Sequence, residues 1–229
     1  MDGIPIFPAK HRARPSAKLQ LRTLALAGLL CAPSPAATQT LTFADTGLGS
    51  RPANFEFLLT GRGQPGRWEV VEDATAASGQ ALAQLGPDRT DYRFPLAIYT
   101  AVSAANVEIA AHFKPVSGTV DRSGGVVVRL TDANNYYIAR ANALEDNVRF
   151  YRVVNGRRQQ LANADTKVAS GQWHLLALRA VGDRFTVSFD GKPVIMATDR
   201  TFRGPGKAGL WTKADSVTHF DRIEIEALP

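Results

Sequence analysis

Two apolar runs are each broken by polar side chains that packing alone would not place there. Arg129 interrupts GVVVRL, and Arg140 with Asn142 interrupts NYYIARANAL. An arginine inside a central strand must find acceptors or reach a wet surface, because an unpaired buried charge is costly. Either these side chains donate hydrogen bonds to a ligand, or they pair internally with Glu145, Asp146 or Asp132. Trp211 and Lys213 lie two residues apart in GLWTK and so share one side of a strand. The tryptophan offers a flat stacking face and the lysine a cation able to polarise an oxygen. Core packing of Trp211 and solvent exposure of Lys213 are the alternatives. Proton transfer needs a base: His112 shares the polar side of its strand with Glu108, a base and orienting carboxylate by type. Such a pair is also an ordinary solvated face. Glu145, beside Asp146, is the candidate carboxylate, although adjacent strand residues point apart.

Other chemistries find little support. The single cysteine, Cys31, falls in an N-terminal apolar run, so the rest of the chain has neither a thiol nucleophile nor a cysteine-based metal site. His112, His174 and His219 form no paired metal spacing. Ser123 and Ser216 lack a Gly-x-Ser-x-Gly setting. Gly124-Gly125 and Gly61-x-Gly63 lack the strand–helix context of a phosphate loop. No metal site is assigned. Asp132, Asn134 and Asn135 make an oxygen-rich cluster that would suit calcium, the one ion considered as a cofactor, but they are equally an Asx turn.

The elements that must position these residues are strands. Val107, Ile109, Ala111 and Phe113 alternate with Glu108, Ala110, His112 and Lys114; Phe185, Val187 and Phe189 alternate likewise, as do Ile223 and Ile225. Period-two alternation marks a sheet with one buried face. Asn155-Gly156, Gly182-Asp183 and Asp190-Gly191 separate strand-like runs and read as two-residue hairpin turns. The continuous runs GVVVRL and NYYIARANAL predict central strands covered on both faces. Residues 74–85 read either as a helix or as a loop and strand. The expected fold class is all-β: one antiparallel sandwich.

The chain has 229 residues, 45% hydrophobic and 21% charged, a globular balance. Its net charge of +6 is concentrated at the start. Lys10, Arg12, Arg14, Lys18 and Arg22 against Asp2 give +4 in that segment and leave +2 for the remainder. A nearly neutral domain has no footprint for phosphate, so nucleic acid is not an expected partner. The basic stretch, the apolar LALAGLLCA and the small-residue SPAA follow the order of an export signal, with the cut placed after Ala36. Residues 1–36 are thus expected to be a signal peptide, and 37–229 the mature domain, periplasmic or extracellular. The apolar run is far short of the ~20 residues of a membrane span, so no membrane association is expected after cleavage.

Residues 121–162, together with GRWEVVED, GQWHLLALRAVGDRFTVSFDGKPV and GKAGLWTKADSVTHFDRIEI, resemble concanavalin A-like and laminin-G-like sandwiches. More narrowly, they resemble the 3-keto-disaccharide hydrolase domain family. The resemblance implies a jelly roll whose concave face meets a carbohydrate; Arg129, Arg140, Asn142 and Trp211, read from their strand positions, are the expected sugar contacts. It also implies 3-keto-glycoside cleavage, for which Lys213, His112 and Glu145 are the candidate catalytic groups by residue type. The Glu-x-Asp-x-(x)-Glu strand motif of laminarinase-type relatives is missing, which disfavours two-carboxylate hydrolysis. A non-catalytic lectin-like or protein-interaction module is the alternative.

Overall fold

The computed structural model describes residues 1–5 and 38–229, so the expected leader lies almost wholly outside the described residues. The strands are β1 (Thr38–Leu41), β2 (Phe55–Gly61), β3 (Trp68–Glu72), β4 (Gln80–Gln84), β5 (Arg93–Ala104), β6 (Val107–Ser117), β7 (Ser123–Asp132), β8 (Asn135–Asn142), β9 (Asn147–Val154), β10 (Arg157–Asp165), β11 (His174–Val181), β12 (Arg184–Phe189), β13 (Lys192–Thr198), β14 (Gly206–Trp211) and β15 (Val217–Ala227). Residues 74–85 resolve into a turn and β4. Eight strands form one antiparallel sheet in the order β13-β12-β11-β6-β15-β4-β3, with β1 paired to β15. Seven form the other, β10-β9-β8-β7-β14-β5-β2. The architecture is the expected all-β sandwich.

All three dipeptide turns join consecutive strands. Asn155-Gly156 has φ of 49° and 74°, and Asp190-Gly191 has 48° and 77°, the positive pair that a type I′ turn requires. Between the sheets the alternating positions meet: Ile109, Phe113, Leu178 and Phe185 face Val126, Tyr137, Phe150 and Leu210.

The seven-stranded sheet also buries its other face. Phe94, Leu96, Ile98, Val127, Tyr136, Ile138, Tyr151 and Trp211 form a second apolar cluster there. That cluster exists because the sheet curls. Tyr136 on β8 meets Thr60 on β2 at 2.9 Å, although three strands separate them. The Tyr92 hydroxyl donates to Gly156 O (2.9 Å) and accepts from Arg158 N (2.8 Å), tying the β9–β10 turn to the start of β5. The outer face is therefore concave and, along much of its length, already filled.

Candidate functional site

Register decides which side chains share the concave face. Gly125 on β7 is the partner of Arg140 on β8 and of Trp211 on β14, and Arg140 is the partner of Arg149 on β9. Alternation along β8 sends Tyr136, Ile138, Arg140 and Asn142 to the concave side. A side chain at Gly125 would sit 3.2 Å from both Arg140 Cβ and Trp211 Cε3, so glycine lets the arginine and the indole flank one gap. Arg140 and Trp211 thus lie on the same face.

Charged groups line the mouth of this face. Arg140 donates to Glu145 Oε2 at 2.8 Å and to Asn147 Oδ1 at 2.5 Å. Arg149 reaches the same Glu145 oxygen at 3.3 Å. Burial pushes the Glu145 carboxyl upward, but Arg140, Asn147 and Arg149 outweigh it and hold the group below its ordinary range. The Arg158 guanidinium stands over the rings of Tyr151 (4.4 Å), Phe94 (4.8 Å) and Trp211 (5.8 Å). Burial raises the Tyr151 phenol, yet the fields of Arg140 and Arg158 and a hydrogen bond from Arg149 bring it below its usual value. Lys213 binds Asp91 at 2.7 Å and Asp121 at 3.3 Å. Hydrogen bonding and charge from Lys213 lower the Asp91 pKa, with a further contribution from Arg158. The result is a row of fixed charges of both signs above an aromatic floor.

Several expected contacts are placed elsewhere. Arg129 does not line the concave face. The register slips between Val128 and Asp132, and Arg129 adopts φ 52°, which turns its side chain toward one end of the sandwich. There it donates to Ala105 O (2.6 Å), Phe202 O (2.9 Å) and Gly182 O (2.7 Å) and lies over Phe185. Trp211 is on the right face but fully buried, stacked on Phe94 at 5.3 Å and capped by Arg158, so its ring presents no free stacking face. Asn142 is 1% exposed; its Oδ1 accepts from Leu144 N and Glu145 N, and it positions the turn that carries Glu145. His112 projects from β6 on the other sheet, and Glu108 pairs with Arg179 at 2.6 Å, so the base–orienter pair is not formed. Asp132 accepts from Asn134 N and Asn135 Nδ2 as an Asx turn. Its oxygens are thus engaged by donors of the same turn, and no cluster of three metal-ligating carboxylate, histidine or cysteine groups occurs among the described residues. Of the seven named residues, Glu145 and Lys213 reach the mouth, and Arg140, 3% exposed, lies buried on the same face and holds Glu145 from beneath.

Arg149, Tyr151, Arg158 and Asp91 belong to the same rim and were not singled out from sequence. A signal did exist for three of them. The Asn155-Gly156 turn fixes Val154 against Arg157, and two-residue counting from there puts Arg149, Tyr151 and Arg158 on the side of Arg140.

No protein-family model matches the chain. A 98-residue stretch, 42% of this chain, is 35% identical to the levanase of Bacillus subtilis (strain 168) and spans 14% of that relative's length. Among solved structures, the chain is similar to the carbohydrate-binding module CBM66 from Bacillus subtilis. The TM-score is 0.58 and the identity 24%, covering 75% of this chain and 95% of that one. Domain 4 of an extracellular arabinanase from Geobacillus stearothermophilus, solved with arabinotriose, gives 0.54 at 15% identity, covering 85% and 94%. The exoplasmic/lumenal domain of VIP36, in a Ca2+/Man3GlcNAc-bound form, gives 0.55 at 15%, covering 83% and 88%. These likenesses bear on the fold. They support a concanavalin-like sandwich, the broader of the two resemblances drawn from sequence.

Proposed function

We propose that the protein is an exported carbohydrate-binding sandwich that holds a saccharide at the mouth of its concave sheet. The observation that carries this reading is the rim itself: Arg149 and Glu145 on one side, the latter held by buried Arg140, Lys213 and Asp91 on the other, with Arg158 between them. Vicinal hydroxyls donate to a carboxylate and accept from a guanidinium at the same time, so fixed charges of both signs match a polyol without demanding net charge of it. The levanase stretch, and the carbohydrate-binding module and arabinanase domain of like fold, support the same ligand class. The arabinanase is described as extracellular, which agrees with the leader read from the sequence.

Binding is favoured over cleavage of 3-keto-glycosides. Elimination beside a ketone needs a base free to take a proton. Glu145 is engaged by two arginines, Lys213 is bracketed by two carboxylates, and His112 stands on the other sheet. Calorimetric titration of the mature domain with levan oligosaccharides and with arabinotriose tests the reading. Glu145→Gln should weaken binding by about ten-fold or more, the loss expected for one charge-assisted hydrogen bond. Because Glu145 is the carboxylate partner of buried Arg140, the variant should also melt lower, and its affinity is measured well below that melting temperature. Affinity untouched by both Glu145→Gln and Lys213→Met would sink the rim as the site.

A further inference from the structure

The cleft beneath the segment that follows β1 is built differently from the rim. It has a volume of about 430 Å³, in the range of small-molecule sites, and is lined by residues 41–43, 45–47 and 51–55 together with Tyr99. Its floor is aromatic: Phe55 packs against Phe43 at 6.3 Å and Tyr99 at 5.6 Å. These rings belong to the core between the two sheets, whereas Arg140 and Trp211 face the concave side. The cleft is therefore separate from the rim.

Two features point to a ligand. The segment is fixed without one. Gly49 N donates to Val70 O (2.8 Å), Val70 N to Ser50 O (2.9 Å) and Thr100 N to Asn54 O (3.0 Å), so it is tied to β3 and β5 by backbone bonds. The polar groups facing the cleft, in contrast, are uncommitted. Asp45 and Asn54 are exposed and Tyr99 is 5% exposed, and none of their side chains is engaged in a hydrogen bond or ion pair among the described residues. Arg51 stands at the edge shared with the neighbouring hollow lined by Phe57: its guanidinium lies over that ring and uses only Nε, on Trp68 O at 3.3 Å, so both terminal nitrogens are without internal partners among the described residues. Every carboxylate of the rim is paired, yet here an acceptor, a cation and an amide share a preformed hollow without joining one another. A preformed site of this kind loses little entropy on binding.

We propose that this cleft is a second saccharide site, taking a neutral sugar ring. One carboxylate and one guanidinium balance in charge, which selects against a charged ligand. Ring hydroxyls donate to Asp45 and accept from Arg51 and Asn54, while an apolar ring face rests toward Phe55. Occupied together with the rim, the cleft makes the domain bivalent for a chain, and bivalency raises avidity without further contacts.

Amide chemical-shift mapping with arabinotriose and with levan oligosaccharides at millimolar concentration decides this. The expected result is a set of shifts over residues 42–54 and Tyr99, distinct from those at the rim. Asp45→Ala, at an exposed residue with no internal partner, should abolish the cleft shifts or weaken them about ten-fold while leaving the rim shifts in place. Glu145→Gln should do the reverse. Shifts confined to the rim, or cleft shifts that persist unchanged in Asp45→Ala, overturn the second site and leave the rim reading standing. No shift at either place overturns both.

Discussion

A guanidinium removed from water is tolerable when each of its N–H faces meets an acceptor, and Arg129 meets three. Its partners are all main-chain carbonyls, so the cation is held without a carboxylate, and burial lowers its pKa. Removing it would strand Ala105 O, Phe202 O and Gly182 O at the junction of three segments. Arg129→Met should therefore cost about 3 kcal/mol or more, and urea denaturation is the measurement. A loss below ~1 kcal/mol would mean that water replaces the guanidinium and that the cluster is no keystone. Arg140 looks similar in sequence and is also buried, but it is anchored by the side chains of Glu145 and Asn147 rather than by main-chain carbonyls. Both arginines were visible as breaks in apolar runs. What separated them was the slip after Val128, a backbone event with no glycine to announce it.

The β9–β10 hairpin closes over the apolar cluster of the concave face. Asn155-Gly156 sets its register, and Tyr92 locks its tip through Gly156 O and Arg158 N. Arg158 then covers Trp211. Gly156 sits at φ 74°, where a β-branched side chain is strained by roughly 1–2 kcal/mol. Gly156→Val should loosen the tip and uncover the indole, read as a red-shifted tryptophan emission with increased acrylamide quenching. Unchanged quenching of Trp211, isolated by replacing Trp68 and Trp173 with Phe, would show that the cap does not depend on the turn. The hairpin was legible from two residues. The curl that brings it to Tyr92 was not, because it accumulates from twist over seven strands and is set by contacts remote in sequence, such as Tyr136 with Thr60.

At the scale of the molecule, the two outer faces answer to different physics. The concave one is capped by aromatic rings and arginines, whereas the outer face of the eight-stranded sheet carries a titratable network. Asp73 accepts from Lys114, from Thr75 N (3.1 Å) and Oγ1 (2.7 Å), and from His219 Nδ1–H (2.7 Å). Burial pushes its carboxyl up, but Lys114, Thr75 and His219 outweigh that and hold it well below the ordinary 3.8. For His219, burial dominates and lowers the ring below 6.5, with Asp73 opposing. In both cases the unfolded chain binds protons more readily than the folded one, so stability rises with pH across each window. The His219 contribution is complete above about pH 6.5 and is lost as pH falls from there toward its folded value. The Asp73 contribution begins to fall only near pH 4 and continues downward. The urea midpoint should therefore decline in two stages on acidification, with a flat neutral limb. His219→Gln keeps a hydrogen-bond partner for Asp73 but cannot titrate, so it should remove the upper stage and leave the lower one. If the midpoints of the variant and the wild type run parallel from pH 7 to pH 5, burial of a neutral imidazole does not govern this face. The acid sensitivity would then have to come from the carboxylates alone.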